Sequence, residues 1–396
     1  METYKFLMDL ALILLSTKVL GIISKKFSMP QVVGALLAGL ILGPAVLNIL
    51  SETDFILSLS EVGVIVLMFS AGLESDIGEL KKTGKASLII AIIGVIVPLL
   101  GGLGIAYLFN KPGSMASDAS VSLLLQNIFI GVILTATSVS ITVETLKEMG
   151  KLNSGVGNAI LGAAIIDDIL GIIILTIITS TADSTVNVWI VLLKILAFFV
   201  CASIAGFIFY NIFRFITNYY NRDMRRFVIL AFVFCLLMAY CAEVFFGVAD
   251  ITGAYIAGLI LSNSKFSQYI SHRFETLSFA MLSPIFFASI GLKVVLPEMS
   301  MSIILFAVLL VFVAILTKIV GCGLGAKLCS FSKKESIQIG CGMVSRGEVA
   351  LIVASKGAAV GLMSSTVFGP VIIVVVVTTI VAPILLKLSF RLDERK

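Results

Sequence analysis

Apolar residues fill the 396-residue chain in long runs, each about 17 to 25 residues, with short polar loops between them. A helix rises 1.5 Å per residue, so each run is about long enough to cross roughly 30 Å of hydrocarbon. The pattern predicts thirteen helices, near 3–24, 30–50, 54–73, 86–109, 121–147, 152–180, 186–216, 225–247, 249–263, 274–295, 301–329, 335–359 and 364–390. In lipid, backbone polar groups must be satisfied within the segment, so the predicted fold is an all-α polytopic membrane protein. The first run has no small-residue cleavage site after it and is read as a retained helix rather than a signal peptide. The loops leave no room for a separate soluble domain, so the whole of 1–396 is expected to form one membrane unit.

Composition agrees: 59% of residues are hydrophobic and 13% charged, and the mean hydropathy is +1.14. These values lie outside the soluble globular range. Charge then orients the chain. Lys25, Lys26, Lys81, Lys82, Lys85, Lys147, Lys151, Arg214, Arg222, Arg225, Arg226, Lys265, Arg273, Lys327, Lys333, Lys334, Lys387, Arg391, Arg395 and Lys396 fall on one side of the predicted spans, whereas the other side has only Lys5, Lys111 and Lys293. The positive-inside rule therefore predicts an external N-terminus and a cytoplasmic C-terminus in the inner (plasma) membrane. The net charge of +5 follows from this bias, and no basic run suggests a nucleic-acid partner.

Charges inside the spans carry the chemistry. Asp167 and Asp168 stand side by side in Gly162-Ala-Ala-Ile-Ile-Asp-Asp-Ile-Leu-Gly-Ile-Ile-Ile-Leu-Thr176. Holding a carboxylate at bilayer depth costs several kcal/mol, which marks the pair as a candidate ion or proton site. Lys18, Lys194 and Lys356 lie within a few turns of helix ends and are expected to snorkel to the interface. Lys318 sits too deep for that, near the middle of its helix, and a buried carboxylate is its natural partner. The six cysteines show no Cys-x-x-Cys spacing and read as packing residues. The only histidine, His272, is predicted on a loop, which argues against a histidine-ligated metal site.

Two spans look broken. Gly340-Cys-Gly-Met-Val-Ser-Arg-Gly-Glu-Val-Ala-Leu351 places three glycines, a serine, Arg346 and Glu348 inside an apolar helix. Leu134-Thr-Ala-Thr-Ser-Val-Ser-Ile-Thr142 is a hydroxyl-rich patch in the span before the aspartates, although hydroxyls alone often bond only to the preceding turn. Unwound backbone is tolerated at membrane depth only where it is buried or lines a wet cavity. The breaks fall in the fifth and twelfth predicted helices, equivalent places if helices 1–6 and 8–13 are two inverted-topology repeats around a linking seventh. Secondary transporters are built this way, with the substrate near the midplane. Gly321, Gly323 and Gly325 follow no strand and are read as a helix-packing seam, not a nucleotide-binding loop.

Taken together, Thr135–Thr142, Asp167-Asp168, Ser283-Pro-Ile-Phe-Phe-Ala-Ser-Ile-Gly-Leu292, Lys318 and Ser345-Arg-Gly-Glu-Val-Ala-Leu351 resemble cation:proton antiporters of the NapA/Kef-like branch, and more distantly NhaA. The resemblance covers the whole chain. It implies a dimerisation domain at about 1–82 and 222–298, a mobile core at about 83–184 and 299–396, a linker helix at about 185–221, two discontinuous crossing helices and an elevator-like movement. It also implies that Asp168 is the shared cation and proton carboxylate and that Asp167 pairs with Lys318.

Thr137 and Ser138 are hard-oxygen ligands that could complete a Na⁺ site with Asp168. Cation and proton would compete for one carboxylate, and Lys318 would carry or compensate charge and make transport electrogenic. Glu144, Arg346 and Glu348 are expected to form a structural ion-pair network near the crossing. The expected activity is exchange of cytoplasmic Na⁺ or Li⁺ for external H⁺, a transport function and not an enzymatic one. The alternatives are a Kef-type K⁺/H⁺ antiporter without its nucleotide-binding domain, since the chain stops at Lys396, and, from another class, a gated cation channel or a non-transporting ion sensor. No cofactor is expected, and the partners would be a second copy of the chain, membrane lipid and the transported ions, with neither nucleic acid nor nucleotide.

Overall fold

The computed structural model describes residues 4–27, 29–111, 121–182, 187–219, 224–294, 300–359 and 361–394. All regular structure among them is helical. The first eight helices are α1 (Lys5–Lys26), α2 (Gln31–Leu42), α3 (Asp54–Glu74), α4 (Ile77–Phe109), α5 (Leu123–Ile133), α6 (Val139–Glu148), α7 (Gly155–Ala182) and α8 (Val188–Tyr219). They are followed by α9 (Met224–Cys241), α10 (Asp250–Ser262), α11 (Ser267–Leu277), α12 (Ser283–Leu292), α13 (Met301–Leu328), α14 (Lys333–Gly342), α15 (Glu348–Ala359) and α16 (Ser365–Glu394). Short π-helical turns at Ala242–Phe246 and Ser278–Leu282 extend α9 and join α11 to α12. Nine helical segments among the described residues are long and apolar enough to cross a membrane, and α2, α5 and α10 are shorter apolar helices. The chain is therefore a multi-pass membrane protein.

Local chemistry explains where helix ends depart from the hydrophobic runs. The predicted helix 30–50 stops at Leu42, because Gly43 precedes Pro44 and takes an extended conformation (φ −77°, ψ −176°). A residue before proline is sterically barred from the helical region. The helix predicted to begin at 86 begins instead at Ile77, where the Asp76 carboxylate accepts the Gly78 amide at 2.6 Å and caps the first turn. Lys81, Lys82 and Lys85 consequently ride on α4, not on a loop. His272, also expected on a loop, lies within α11.

Packing separates two bundles. One holds α4, α5, α6, α7, α13, α14, α15 and α16; the other holds α1, α2, α3, α9, α10, α11 and α12; α8 packs on α7 and on α9 and α10. Lipid tails are as apolar as the helix faces, so no hydrophobic driving force brings the helices together and close approach of small residues matters. A Cβ at Gly325 would stand 2.8 Å from the Ile90 Cα, and one at Gly321 would stand 3.0 Å from the Ile93 carbonyl. The glycine run is thus the seam between α13 and α4. Large side chains point outward on the lipid-facing helices, as with Trp189, Phe207 and Phe215 on α8.

Candidate functional site

The two broken spans cross, and their backbones satisfy one another. Between α5 and α6 the chain leaves helical geometry at residues 134–138, and between α14 and α15 at 343–347. The Ser138 amide donates to the Ser345 carbonyl at 2.8 Å, and the Ser345 hydroxyl donates to the Ser138 carbonyl at 2.9 Å. Thr142 donates its hydroxyl to the Gly342 carbonyl at 2.7 Å and lies 2.9 Å from the Ser345 hydroxyl. Gly347 is needed for this approach, since a Cβ there would fall 2.7 Å from Ser138 Oγ.

Four half-helix ends meet at the crossing: the N-termini of α6 and α15, which carry partial positive charge, and the C-termini of α5 and α14, which carry partial negative charge. Arg346 neutralises the second kind. Its guanidinium, fully buried, donates to the carbonyls of Leu134 (2.6 Å), Val344 (3.1 Å) and Ala314 (3.1 Å), while its own carbonyl accepts the Thr379 hydroxyl. Leu134 and Val344 lie just past the ends of α5 and α14, so the fork binds both broken helices and ties them to α13.

Asp167 and Asp168 project from the middle of α7 beside this crossing. Lys318 reaches across from α13 and bonds both oxygens of Asp167, at 3.1 and 3.2 Å, with neither side chain exposed by more than 1%. The structure brings these two together. Thr137, in the first break, is buried, with its hydroxyl facing the Asp167 carboxylate. The Ser138 hydroxyl lies 3.2 Å from that of Ser140. Thr135 bonds back to the Val132 carbonyl at 2.7 Å, the local satisfaction expected of a mid-helix threonine.

A cavity of about 400 Å³ reaches Asp167 and Asp168 along the boundary between the bundles. Thr135 and Ala136 line it on one side, and Glu61, Glu243, Asp250 and Lys293 on the other. Lys293, which follows the end of α12, lines it on the side away from the many basic residues. There Lys293 stands 3.4 Å from Glu52, whose carboxyl is held above its ordinary value by burial, with Lys293 pulling the other way. On the basic face a separate vestibule of about 1100 Å³ lies between the bundles, and neither aspartate lines it.

Of the expected network of Glu144, Arg346 and Glu348, the structure does not bring Arg346 and Glu144 together. Arg346 spends its bonds on carbonyls, because the helix ends leave acceptors that only a buried donor can satisfy. Glu144 points instead into the basic-face vestibule with Glu74, Lys147 and Glu148. The Glu348 side chain and that of Lys356 fall outside the described residues. Lys194 is exposed on α8, and Lys18 lies over the Phe279 ring at 3.6 Å. Sequence reasoning missed Asp250, which follows the end of an apolar run and resembles an ordinary helix start, and it missed the pairing of Thr142 with Gly342. The spacing of the two breaks was a signal that they cross, but not of which carbonyl meets which hydroxyl.

Similarity to known proteins follows the same features. Residues 11–391 match the family described as sodium/hydrogen exchanger, transmembrane. The chain is 38% identical over 394 residues to the Na⁺/H⁺-K⁺ antiporter GerN of Bacillus cereus, covering 99% of this chain and 98% of that one. It is 37% identical over 392 residues to a Na⁺/H⁺ antiporter of Enterococcus hirae, covering 97% of each. Its fold is similar to that of the sodium proton antiporter MjNhaP1 from Methanocaldococcus jannaschii, with a TM-score of 0.70 and 21% identity over 98% of this chain and 97% of that one.

Proposed function

The chain belongs to the transmembrane sodium/hydrogen exchanger family, whose members move ions and are not enzymes, and from that membership we propose that it is a cation/proton antiporter exchanging cytoplasmic Na⁺ or Li⁺ for external H⁺. The observation that carries this reading is the crossing itself. Two interrupted helices meet beside a carboxylate pair, one member is bonded to a buried lysine, and a cavity between the bundles reaches both carboxylates. In this scheme the chain makes thirteen crossings, α5/α6 and α14/α15 being the broken ones. The bundle of α4–α7 and α13–α16 is the mobile core, the other bundle is the dimerisation domain and α8 links them. The NapA/Kef-like placement rests on the same motifs.

Asp168 is the exchanging carboxylate. A desolvated Na⁺ prefers hard oxygen ligands, which Asp168, Thr137, Ser138 and loosened carbonyls supply, and a proton neutralises the same group. Occupancy by one excludes the other. Moving a net charge past the apolar boundary is costly, so the core shifts readily only when Asp168 is neutralised. Asp167 positions Lys318, and a proton leaving Lys318 as the cation enters makes the exchange electrogenic. The positive-inside rule sets the basic face in the cytoplasm of the inner membrane, so the cavity at the aspartates opens outward. A second copy of the chain is the expected partner, with membrane lipid around the pair.

K⁺ is the second cargo to be weighed, since the name of the Bacillus cereus relative includes it. A gated channel would require a pore continuous with both faces, whereas the vestibule on the basic face has neither aspartate in its wall. A sensor would bind without moving ions. One experiment separates these cases: fluorescence dequenching of a ΔpH in everted vesicles on addition of Na⁺, Li⁺ or K⁺, with the unsubstituted protein and Asp168→Asn. Cation-dependent dequenching that survives the substitution would overturn the site.

A further inference from the structure

On the basic face, the C-terminal end of α6 is fastened to the opposite bundle by contacts that the exchange chemistry does not use. Helix α2 starts at Gln31 behind Pro30, which offers no side-chain acceptor for the first free amides. Those amides are orphan donors at the positive end of a helix dipole. The carboxylate of Glu148, the last residue of α6, takes the role across the bundle boundary: both of its oxygens accept the Gln31 amide, at 2.9 and 2.8 Å, and the Val32 amide faces it as well. One residue earlier, Lys147 bonds Glu74 at the end of α3 at 2.9 Å, and Glu74 also accepts the Ser271 hydroxyl at 3.2 Å.

Helix α6 is only ten residues long, about 15 Å. Its first turn follows directly on Thr137 and Ser138, and its last turn makes both contacts. Binding site and fastening therefore sit on one short rigid rod. The core cannot slide along α2 and α3 without breaking them.

We propose that Glu148, capping α2 in trans, and the Lys147–Glu74 pair form a latch that holds the basic-face side closed and biases the protein toward the conformation seen here. This inference rests on the alternating-access reading above. Hydrogen bonds to a charged group and a partly buried ion pair, once lost, shift a two-state equilibrium roughly tenfold. The latch is a property of resting populations, and it sets how often the site faces the basic side.

The test places nitroxide labels at Asn153→Cys on the core and Gln268→Cys on the opposite bundle, which line the same vestibule, in a background with the six native cysteines replaced by alanine. Double electron–electron resonance then reads the distance distribution. In Glu148→Ala a longer-distance population should grow roughly tenfold relative to the parent, with a smaller rise in Glu148→Gln, which keeps an acceptor but no charge. Glu74→Gln should act in the same direction. A distribution unchanged in Glu148→Ala, in protein that elutes as a single species, overturns the latch; if that variant aggregates, Glu148→Gln decides in its place. Transport by the parent is measured separately. A distance shift without any exchange strikes the antiport reading and leaves the latch, whereas exchange without a distance shift strikes the latch alone.

Discussion

Replacing Lys318 with methionine tests the buried pair most directly, because the unbranched apolar stem is kept and the ammonium group, with its charge and donors, is removed. In the native protein the ammonium bonds both Asp167 oxygens, at 3.1 and 3.2 Å, with 0% and 1% of the two side chains exposed. Removing one partner from such a pair strands a charge and costs about 3–5 kcal/mol. Proton uptake offers an escape. Discharging an ordinary carboxyl at neutral pH costs about 4 kcal/mol, from roughly three pH units at 1.36 kcal/mol each, so the penalty saturates within the same range.

Removing both charges, in Lys318→Met with Asp167→Leu, leaves two apolar side chains in an apolar place and should recover most of the loss. The expected coupling between the sites is about 3 kcal/mol. Cys235, Cys322 and Cys341 are buried, so a thiol-reactive dye that fluoresces on unfolding follows the thermal transition in detergent. The order of midpoints expected is native, double variant, then either single variant. If the double variant melts at the temperature given by adding the two single losses, the ammonium and carboxylate do not stabilise one another and the pair is not the structural unit described.

Other outcomes follow from neighbouring geometry. Arg346→Gln, which strands the carbonyls of Leu134, Val344 and Ala314, should lower stability by about 2–4 kcal/mol, and Arg346→Lys should fail to rescue it because an ammonium cannot fork; both are read by the same dye. Gly347→Ala forces a methyl within 2.7 Å of Ser138 Oγ and should reduce exchange at least tenfold while the protein still reaches the membrane, as judged by dequenching against immunoblot. Lys293→Gln removes a positive charge from the lining of the cavity that reaches the aspartates, so the Na⁺ concentration for half-maximal exchange, taken on the outer side in the proposed orientation, should fall several-fold at low ionic strength and little at high; an effect that ignores salt would refute an electrostatic cause.

Most of the fold is legible in the sequence because membrane solvent makes length and hydropathy decisive. The runs around α3, α7, α10 and α13 were bounded to within a few residues by their first and last polar groups. Errors arose where one local interaction outweighed hydropathy, as with Pro44 ending α2 or Asp76 starting α4 early. At the site, charge balance asked for a buried carboxylate beside Lys318 and pointed to the aspartate pair, while the choice of Asp167 over Asp168 came from the family resemblance. Arg346 misled for the same reason. Charge balance sought a glutamate for it, whereas the unmade hydrogen bonds of two broken helices, invisible until the breaks have exact limits, were the stronger claim on its donors. Glu148 is the complementary case: its partner, an amide 117 residues away, carries no side-chain signature at all.

The distribution of charge around the crossing narrows what a transport cycle must move. Arg346 is committed to carbonyls of the half-helix ends and Lys318 to Asp167, so each buried cation answers a fixed structural demand of the core. In the proposed elevator scheme both demands would travel with the core, because α5, α7, α13 and α14 belong to one bundle. The carboxylates of the opposite bundle, Glu61, Glu243 and Asp250, would then stay behind as the cavity wall. In the proposed exchange, the state of Asp168 is then the variable that differs between loaded and empty forms, and it changes by one unit whether a cation or a proton arrives. That equality lets one movement serve both ions. It also places the choice between electroneutral and electrogenic exchange on whether Lys318 keeps its proton when Asp168 takes a cation. A membrane potential clamped with valinomycin in proteoliposomes should therefore drive Na⁺ flux in the native protein and lose its effect in Lys318→Gln; equal sensitivity in both would put the transported charge elsewhere.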